Sequence, residues 1–386
     1  MAAFSTNTNI LSSHSQQRRH LPHRFSSNFF KTHSSLHFFP LYNKNLNSPD
    51  TTTAASPIFA APPHASAAVT TTGMDDFAST STSTEAGWAE FGEKVSGEWD
   101  GFGADFTVEG KPIELPEMVV PEAYREWEVK VFDWQTQCPT LADQNQSSLI
   151  YKTIKLLPTV GCEADAATRY NIHERSVSVT QPHNSAFAYQ STGCYVALWP
   201  SSIATNKLNN SKSIEVEHCL INPSDKESRV RIIQVLEQSS EMKMKSISVF
   251  VEQWYGPFRN GDQLGGCAIR DSAFAATQPL KASQLSGVWE GLTAVATFHT
   301  STNNMIQQVG DECECKSIRY EDDGGLILLP KQLWCSLKKS SEDKMETWCE
   351  VGWLLDEGRA ITSKCTFSST GDLKEIAIAR ETATRV

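Results

Sequence analysis

The densest group of ionisable side chains in the sequence lies between Arg169 and Arg175. Side chains of an extended chain alternate between its two faces, so Arg169, His173 and Arg175 would share one face of a strand. Arginine holds a carboxylate through paired, charge-assisted hydrogen bonds, and histidine can donate a proton or a hydrogen bond. Facing a barrel lumen, these three residues would anchor the acidic end of a fatty acid or a tetrapyrrole. Facing solvent, they would form an ordinary strand edge.

The other reactive side chains form no motif that specifies a reaction. The ten cysteines include no CxxC pair, so zinc-ribbon and thioredoxin-type motifs are absent. Walker, Rossmann, GxSxG and HExxH patterns are absent as well. We therefore predict no metal site and no cofactor. Whether the protein is an enzyme stays open at this point.

Short segments rich in Val, Ile and aromatic residues occupy the chain from residue 176 onwards. Turn signals such as Asn222-Pro223 and Gly324-Gly325 separate them. Strands with turns at short spacing favour an antiparallel meander, which predicts a mainly β sandwich or barrel. Two short helices are also predicted. One covers about residues 85–95, where apolar side chains recur with helical spacing, and the other starts at Pro121 and runs to about residue 127.

One seven-residue motif occurs twice in the chain. Residues 95–101 are Val-Ser-Gly-Glu-Trp-Asp-Gly, and residues 285–291 are Leu-Ser-Gly-Val-Trp-Glu-Gly. The repeat predicts two copies of one domain. We place the first copy at residues 85–265, with an insertion at about 110–170, and the second, shorter copy at residues 280–386.

The Gly-x-Trp element of each copy, formed by Gly97 and Trp99 and by Gly287 and Trp289, resembles the start of the first strand in calycins. This superfamily contains the lipocalins and the fatty-acid-binding proteins. The resemblance implies two antiparallel β-barrels in tandem, in which the glycine permits a tight bend and the indole closes one barrel end. In lipocalins a basic residue of the last strand covers this Trp, and Arg380 would do so for Trp289.

The N-terminal segment differs in composition from the remainder. Residues 1–73 contain five basic side chains and one acid, which gives a net charge of +4. Because the net charge of the whole chain is −11, the remainder carries −15. A basic, hydroxyl-rich segment without an apolar signal core is typical of an organelle transit peptide. We predict a plastid transit peptide at 1–73, a disordered linker at 74–84, and import into the chloroplast stroma rather than the thylakoid lumen.

Charge and hydropathy also exclude some partners. The acidic net charge argues against nucleic acid, and no apolar run reaches the roughly 18–20 residues of a membrane helix, so no integral membrane segment is expected.

The chain resembles a plant and cyanobacterial calycin-like family of uncharacterised function, distantly similar to phycobiliprotein lyases. The resemblance implies a plastid protein that binds a small apolar or amphipathic ligand, such as a fatty-acid derivative or a pigment. A lyase or isomerase on the same scaffold, or a non-catalytic assembly factor, are the alternatives. The sequence does not determine the oligomeric state.

Overall fold

The computed structural model describes residues 79–160, 168–178, 186–201, 212–239, 241–262, 273–299, 305–340, 346–356 and 358–384. The predicted transit peptide and the first part of the predicted linker lie outside the described residues. The described part is mainly β, as predicted, with a curled half-barrel sheet and a second sheet. None of its helices is both long enough and apolar enough to cross a membrane.

The described residues form two α-helices, α1 (Ser79–Val95) and α2 (Glu122–Glu126). Their strands, in chain order, are β1 (Glu98–Phe106), β2 (Asp133–Gln137), β3 (Thr140–Asp143), β4 (Ser148–Leu156), β5 (Arg169–Val177), β6 (Ala186–Tyr189), β7 (Tyr195–Pro200), β8 (Lys212–Ile221), β9 (Ser228–Gln238), β10 (Met242–Gly256), β11 (Gly287–Thr297), β12 (Ile306–Gln308), β13 (Cys313–Arg319), β14 (Leu326–Leu329), β15 (Leu333–Lys339), β16 (Thr347–Asp356), β17 (Arg359–Phe367) and β18 (Leu373–Thr384).

The two sheets follow one strand plan. The first has the order β12-β6-β7-β8-β9-β10-β1-β2-β4, with β3 and β5 also paired to β4. The second has the order β13-β11-β18-β17-β16-β15-β14. In each, the strand that carries the repeated motif pairs with the last strand of a five-stranded meander, β1 with β10 and β11 with β18. Each meander therefore consists of strands that are consecutive in the chain, and the motif strand pairs with the edge of the meander formed by its last strand.

Helix α1 packs its apolar face against the first sheet. Trp88, Phe91 and Val95 are buried, and the ring of Phe91 contacts those of Tyr189 and Tyr195. This confirms the predicted helix, although it begins at Ser79, inside the segment predicted as a linker. A Ser/Thr run has no apolar periodicity, so nothing in its pattern could show that the helix extends into it.

Two features depart from the predicted organisation. Strands β2, β3 and β4 lie in the segment 110–170, where no strand meander was expected, because β2 consists largely of buried polar residues that give no hydrophobic signal. In addition, β12 follows the second motif but pairs in parallel with β6 of the first sheet. The two sheets also share one apolar core, to which both meanders contribute. The boundary between the sheets thus differs from the boundary between the repeats.

Candidate functional site

A cleft of about 680 Å³ opens where β4 and β5 approach β7 and β8. One part of its lining is apolar or aromatic, and it consists of Pro139, Ile150, Tyr151, Trp199, Pro200 and Phe258. The other part is polar, and it consists of Lys152, His173, Glu174, Arg175, Ser176, Glu215 and Asn260. Ligand sites in proteins have volumes of roughly 300–1,000 Å³ and combine apolar walls with a few polar groups. The cleft has both properties.

Glu217, on β8, lies fully buried next to this lining. Its carboxylate accepts five hydrogen bonds, which come from the Tyr151 and Tyr195 hydroxyls, the Trp199 indole, and the Arg175 and Arg231 guanidinium groups. Burial raises the pKa of Glu217, but Arg175 and Arg231 outweigh it and hold the pKa at about 2. With its lone pairs occupied, Glu217 cannot serve as a general base. Its chemistry is to fix the aromatic and basic side chains around the cleft.

A chain of alternating charges continues from Glu217 towards Trp99. Arg231 Nη2 lies 2.8 Å from Glu252 Oε1, and Arg229 Nε lies 2.6 Å from Glu252 Oε2. The guanidinium carbon of Arg229 lies 4.3 Å from the Trp99 ring centroid. These charged side chains are almost completely buried, so each depends on its neighbours to replace lost hydration. The network therefore makes this part of the sheet sensitive to the loss of any one charge.

The alternation and register of β9 and β10 place the charged side chains of this network on one face of the sheet. Arg229 and Arg231 are two positions apart on β9, so they project from the same face. Opposite them on β10 are Glu252 and Phe250. The neighbouring strand β1 has a glycine beside Phe250, since a Cβ on Gly103 would lie 2.6 Å from that ring. A side chain there would displace the ring that Arg231 covers at 4.7 Å.

The structure brings together two of the three predicted anchors. His173 and Arg175 line the cleft, whereas Arg169 lies at the other end of β5 and donates a hydrogen bond to the Gly261 carbonyl. Arg175 is already bound by Glu215 and Glu217 and covers the Trp199 ring at 5.0 Å. Its charge is thus neutralised by the protein itself.

His173, the other predicted anchor in the cleft, forms no ion pair with a carboxylate of the described residues. Partial burial and the neighbouring Arg175 lower the pKa of His173, so its ring is neutral at pH 7. A neutral imidazole donates one hydrogen bond from one ring nitrogen and accepts one at the other. It can therefore hold a polar ligand group without bringing an additional charge into the cleft.

The second sheet places Trp289 as the first sheet places Trp99, but the guanidinium over the ring comes from a different strand. Trp289 donates to the carbonyl four residues before it at 2.7 Å, as Trp99 does at 2.9 Å. Gly97 and Gly287 precede these indoles with φ of 143° and 128°, where a side chain would be strained. The motif therefore fixes both indoles in one geometry.

The prediction that Arg380 covers Trp289 is wrong. The guanidinium at 5.2 Å from the Trp289 ring belongs to Arg319, on β13. Trp289 pairs with Ala383, so Glu381 shares its face, and Arg380 projects from the other face, where it binds Glu312 at 2.5 Å.

Sequence reasoning did not identify Glu217, Arg229, Arg231 or Glu252 as site residues. The available signal was the pair of charges two positions apart inside otherwise apolar strands, on β8 and on β9. Such pairs resemble the solvent face of a half-exposed strand. Pairing between strands turned those faces inward instead.

Comparison with known proteins finds weakly similar solved structures but no family to which the chain can be assigned. No protein-family model and no curated protein matches the chain. Among solved structures, a DUF3598 family protein of unknown function from Nostoc punctiforme PCC 73102 is 10% identical, with a TM-score of 0.45, over 77% of this chain and 98% of that one. A candidate outer membrane protein from Bacteroides fragilis NCTC 9343 is 6% identical, with a TM-score of 0.17, over 76% and 99%. Similarities this weak carry no argument about function.

Proposed function

We propose that the protein binds a small amphipathic molecule in the cleft of its first sheet. The observation that carries the proposal is the lining itself, an aromatic and aliphatic wall beside a group of polar side chains that includes the neutral His173. Trp199 and Tyr151 are held rigidly by Glu217, so the wall is formed before a ligand arrives. Preformed walls reduce the conformational entropy that binding must overcome.

The ligand class follows from the balance of groups. The apolar wall accommodates a hydrocarbon or a planar conjugated ring, and the polar groups accommodate one carboxylate or carbonyl end. Fatty-acid derivatives and tetrapyrroles both have this composition. Because Glu215 and Glu217 already bind Arg175, we assign the contact with the polar end to His173 and Asn260 rather than to Arg175.

The wider proposal has two further parts. We regard the chain as two calycin-like half-barrels in tandem, of which the first binds the ligand and the second, with Trp289 and Trp334 buried in it, is filled by its own side chains. We also propose import into the chloroplast, on the composition of residues 1–73.

A titration tests the binding proposal. Quenching of intrinsic tryptophan fluorescence by palmitate and by biliverdin would be measured for the wild type, for Phe258→Ser in the apolar wall and for Tyr320→Ser, an exposed aromatic outside the cleft. We expect micromolar binding of at least one ligand, a loss of roughly tenfold in Phe258→Ser and no change in Tyr320→Ser. No binding of either ligand, or equal losses in both variants, would contradict the proposal.

A further inference from the structure

His218, Cys349 and Cys365 meet between the two sheets, away from the cleft. His218 lies next to Glu217 on β8, and adjacent strand residues project from opposite faces, so its ring points towards the second sheet. Its Nδ1 lies 2.7 Å from the Ser363 Oγ of β17. Cys349 on β16 and Cys365 on β17 are direct partners in the strand register. A strand of the first sheet and two neighbouring strands of the second, distant from it in sequence, thus deliver one nitrogen and two sulfur atoms to one point.

The geometry of these atoms suits a metal ion. The ring nitrogen and the two sulfur atoms lie within 4.8 Å of one another, and all three side chains are fully buried. Metal–sulfur bonds of about 2.3 Å and metal–nitrogen bonds of about 2.0 Å separate the ligand atoms of a three-coordinate ion by roughly 3.7 Å. Small side-chain rotations would bring the three atoms to that separation.

The state of the imidazole is an independent indication of a ligand. His218 Nε2 is buried and has no hydrogen-bond partner among the residues that the structure describes, whereas buried polar atoms in proteins are almost always paired. The other ring nitrogen is held by Ser363, an arrangement typical of histidines that bind metals, because the second contact orients the ring. An ion bound to Nε2 would supply the missing partner.

We propose that His218, Cys349 and Cys365 bind a thiophilic metal ion, and that the ion is Cu(I). Thiolate and imidazole are soft or intermediate donors, which bind Cu(I) and Zn(II) far better than they bind calcium or magnesium. The cluster offers three such donors from the described part of the chain, one imidazole and two cysteine side chains. Structural zinc sites use four protein ligands, so a three-donor site in a dry core suits the monovalent ion better.

Both cysteines would bind the ion as thiolates, because the thiolate is the form of cysteine that ligates metals. Binding of Cu(I) would therefore release two thiol protons to solvent, and two thiolates and the imidazole of His218 would then surround the ion. The bound ion would join β8 of the first sheet to β16 and β17 of the second, and it would stabilise their packing because it binds the folded state alone.

Competition for Cu(I) tests the site. The full chain, reduced and metal-free, would be titrated anaerobically with Cu(I) in the presence of a chromophoric Cu(I) chelator, and X-ray absorption would give the coordinating atoms. We expect one Cu(I) per chain, bound by two sulfur atoms and one nitrogen, and a rise in the thermal midpoint. Cys349→Ser should lower the affinity at least 100-fold.

Two further variants separate metal binding from folding. Cys335→Ser removes a thiol that is equally buried in the same core but stands outside the cluster, and it should leave Cu(I) binding unchanged. Ser363→Ala keeps all three ligands and should weaken binding roughly tenfold through loss of ring orientation. Equal Cu(I) affinity in the wild type and Cys349→Ser, or tighter retention of Zn(II) than of Cu(I) against chelators of known affinity, would overturn the proposal.

Discussion

The two sheets keep the same acids and rearrange the bases. Gly101 of β1 pairs with Glu252, and the equivalent Gly291 of β11 pairs with Glu381. Continuing across each meander by register, Glu217 of β8 corresponds to Glu350 of β16. Both pairs of carboxylates therefore occupy equivalent positions in the two copies, although only the motif itself reveals the repeat in the sequence.

The arginines, in contrast, come from different strands. In the first sheet, Arg229 of β9 pairs with Glu252 of β10. The equivalent position of the second sheet is Ala360 of β17, which pairs with Glu381. Arg319 pairs with Gly287 on β13, and the position facing the equivalent glycine in the first sheet is Thr140. The cation over the indole thus moved from one side of the motif strand to the other.

This difference distinguishes what the fold requires from what the cleft requires. Each indole of the repeated motif has a guanidinium over it and a carboxylate beside that guanidinium, whichever strand supplies the cation. Arg231 has no counterpart, since Thr362 occupies the equivalent position on β17. Arg231 binds Glu217, as the cleft residue Arg175 does, so this additional charge adjoins the candidate site.

Removal of the equivalent acids should give the largest contrast. Glu217→Gln leaves Arg175 and Arg231 buried with one carboxylate fewer, and we expect it to lower the free energy of unfolding by about 3–5 kcal/mol. Glu350→Gln should cost only about 1 kcal/mol, because Glu381 continues to bind Arg319 and Glu350 is partly exposed. Urea denaturation of both variants would measure the two values. Equal losses would show that the two networks have the same structural weight.

Transfer of the basic residue should give a smaller effect that tests the rearrangement directly. Arg319→Thr leaves Glu381 buried without its ion-pair partner, and we expect a loss of about 2–3 kcal/mol. Adding Ala360→Arg recreates the arrangement of the first sheet and should restore at least about 1 kcal/mol. Ala360→Arg alone, with Arg319 still present, serves as the control and should destabilise. If the double variant is no more stable than Arg319→Thr, the two positions are not interchangeable.

The sequence predicts the elements of this molecule better than it predicts their contacts. The meander strands and the helix with Trp88 and Phe91 follow from local apolar patterns, and the mainly β class follows from them. The motif also marked Trp99 and Trp289 as equivalent residues, and both indoles are buried with the same hydrogen bond to the carbonyl four residues earlier. Each of these predictions depends on residues that are close together in the chain.

The networks could not be predicted because they depend on register. A shift by one residue exchanges the two faces of a strand, which is why the prediction placed Arg380 on the face of Trp289 when it lies on the other. The group of His218, Cys349 and Cys365 was missed for a related reason. Its members lie on strands of two sheets, and their spacing in the chain contains no metal-binding pattern.

The acids that follow the two indoles give the smallest contrast, and it depends on pH. Asp100 is buried, and its pKa is raised to about 6 by burial and by Glu98 and Glu252, whereas the equivalent Glu290 is exposed and paired with Lys316. The folded state therefore binds a proton that the unfolded state releases between about pH 4 and pH 6, so the stability of the wild type falls as the pH rises through that window. Asp100→Asn should remove this loss, raising the free energy of unfolding by about 2 kcal/mol at pH 8 and hardly at pH 4.

Glu290→Gln, the matched control, should change stability at neither pH. Because Asp133 titrates in the same window, the relevant measurement is the difference between wild type and variant in urea denaturation at each pH. A gain of equal size at both pH values would mean that asparagine improves packing or hydrogen bonding, and that the buried charge of Asp100 is not what distinguishes the two copies.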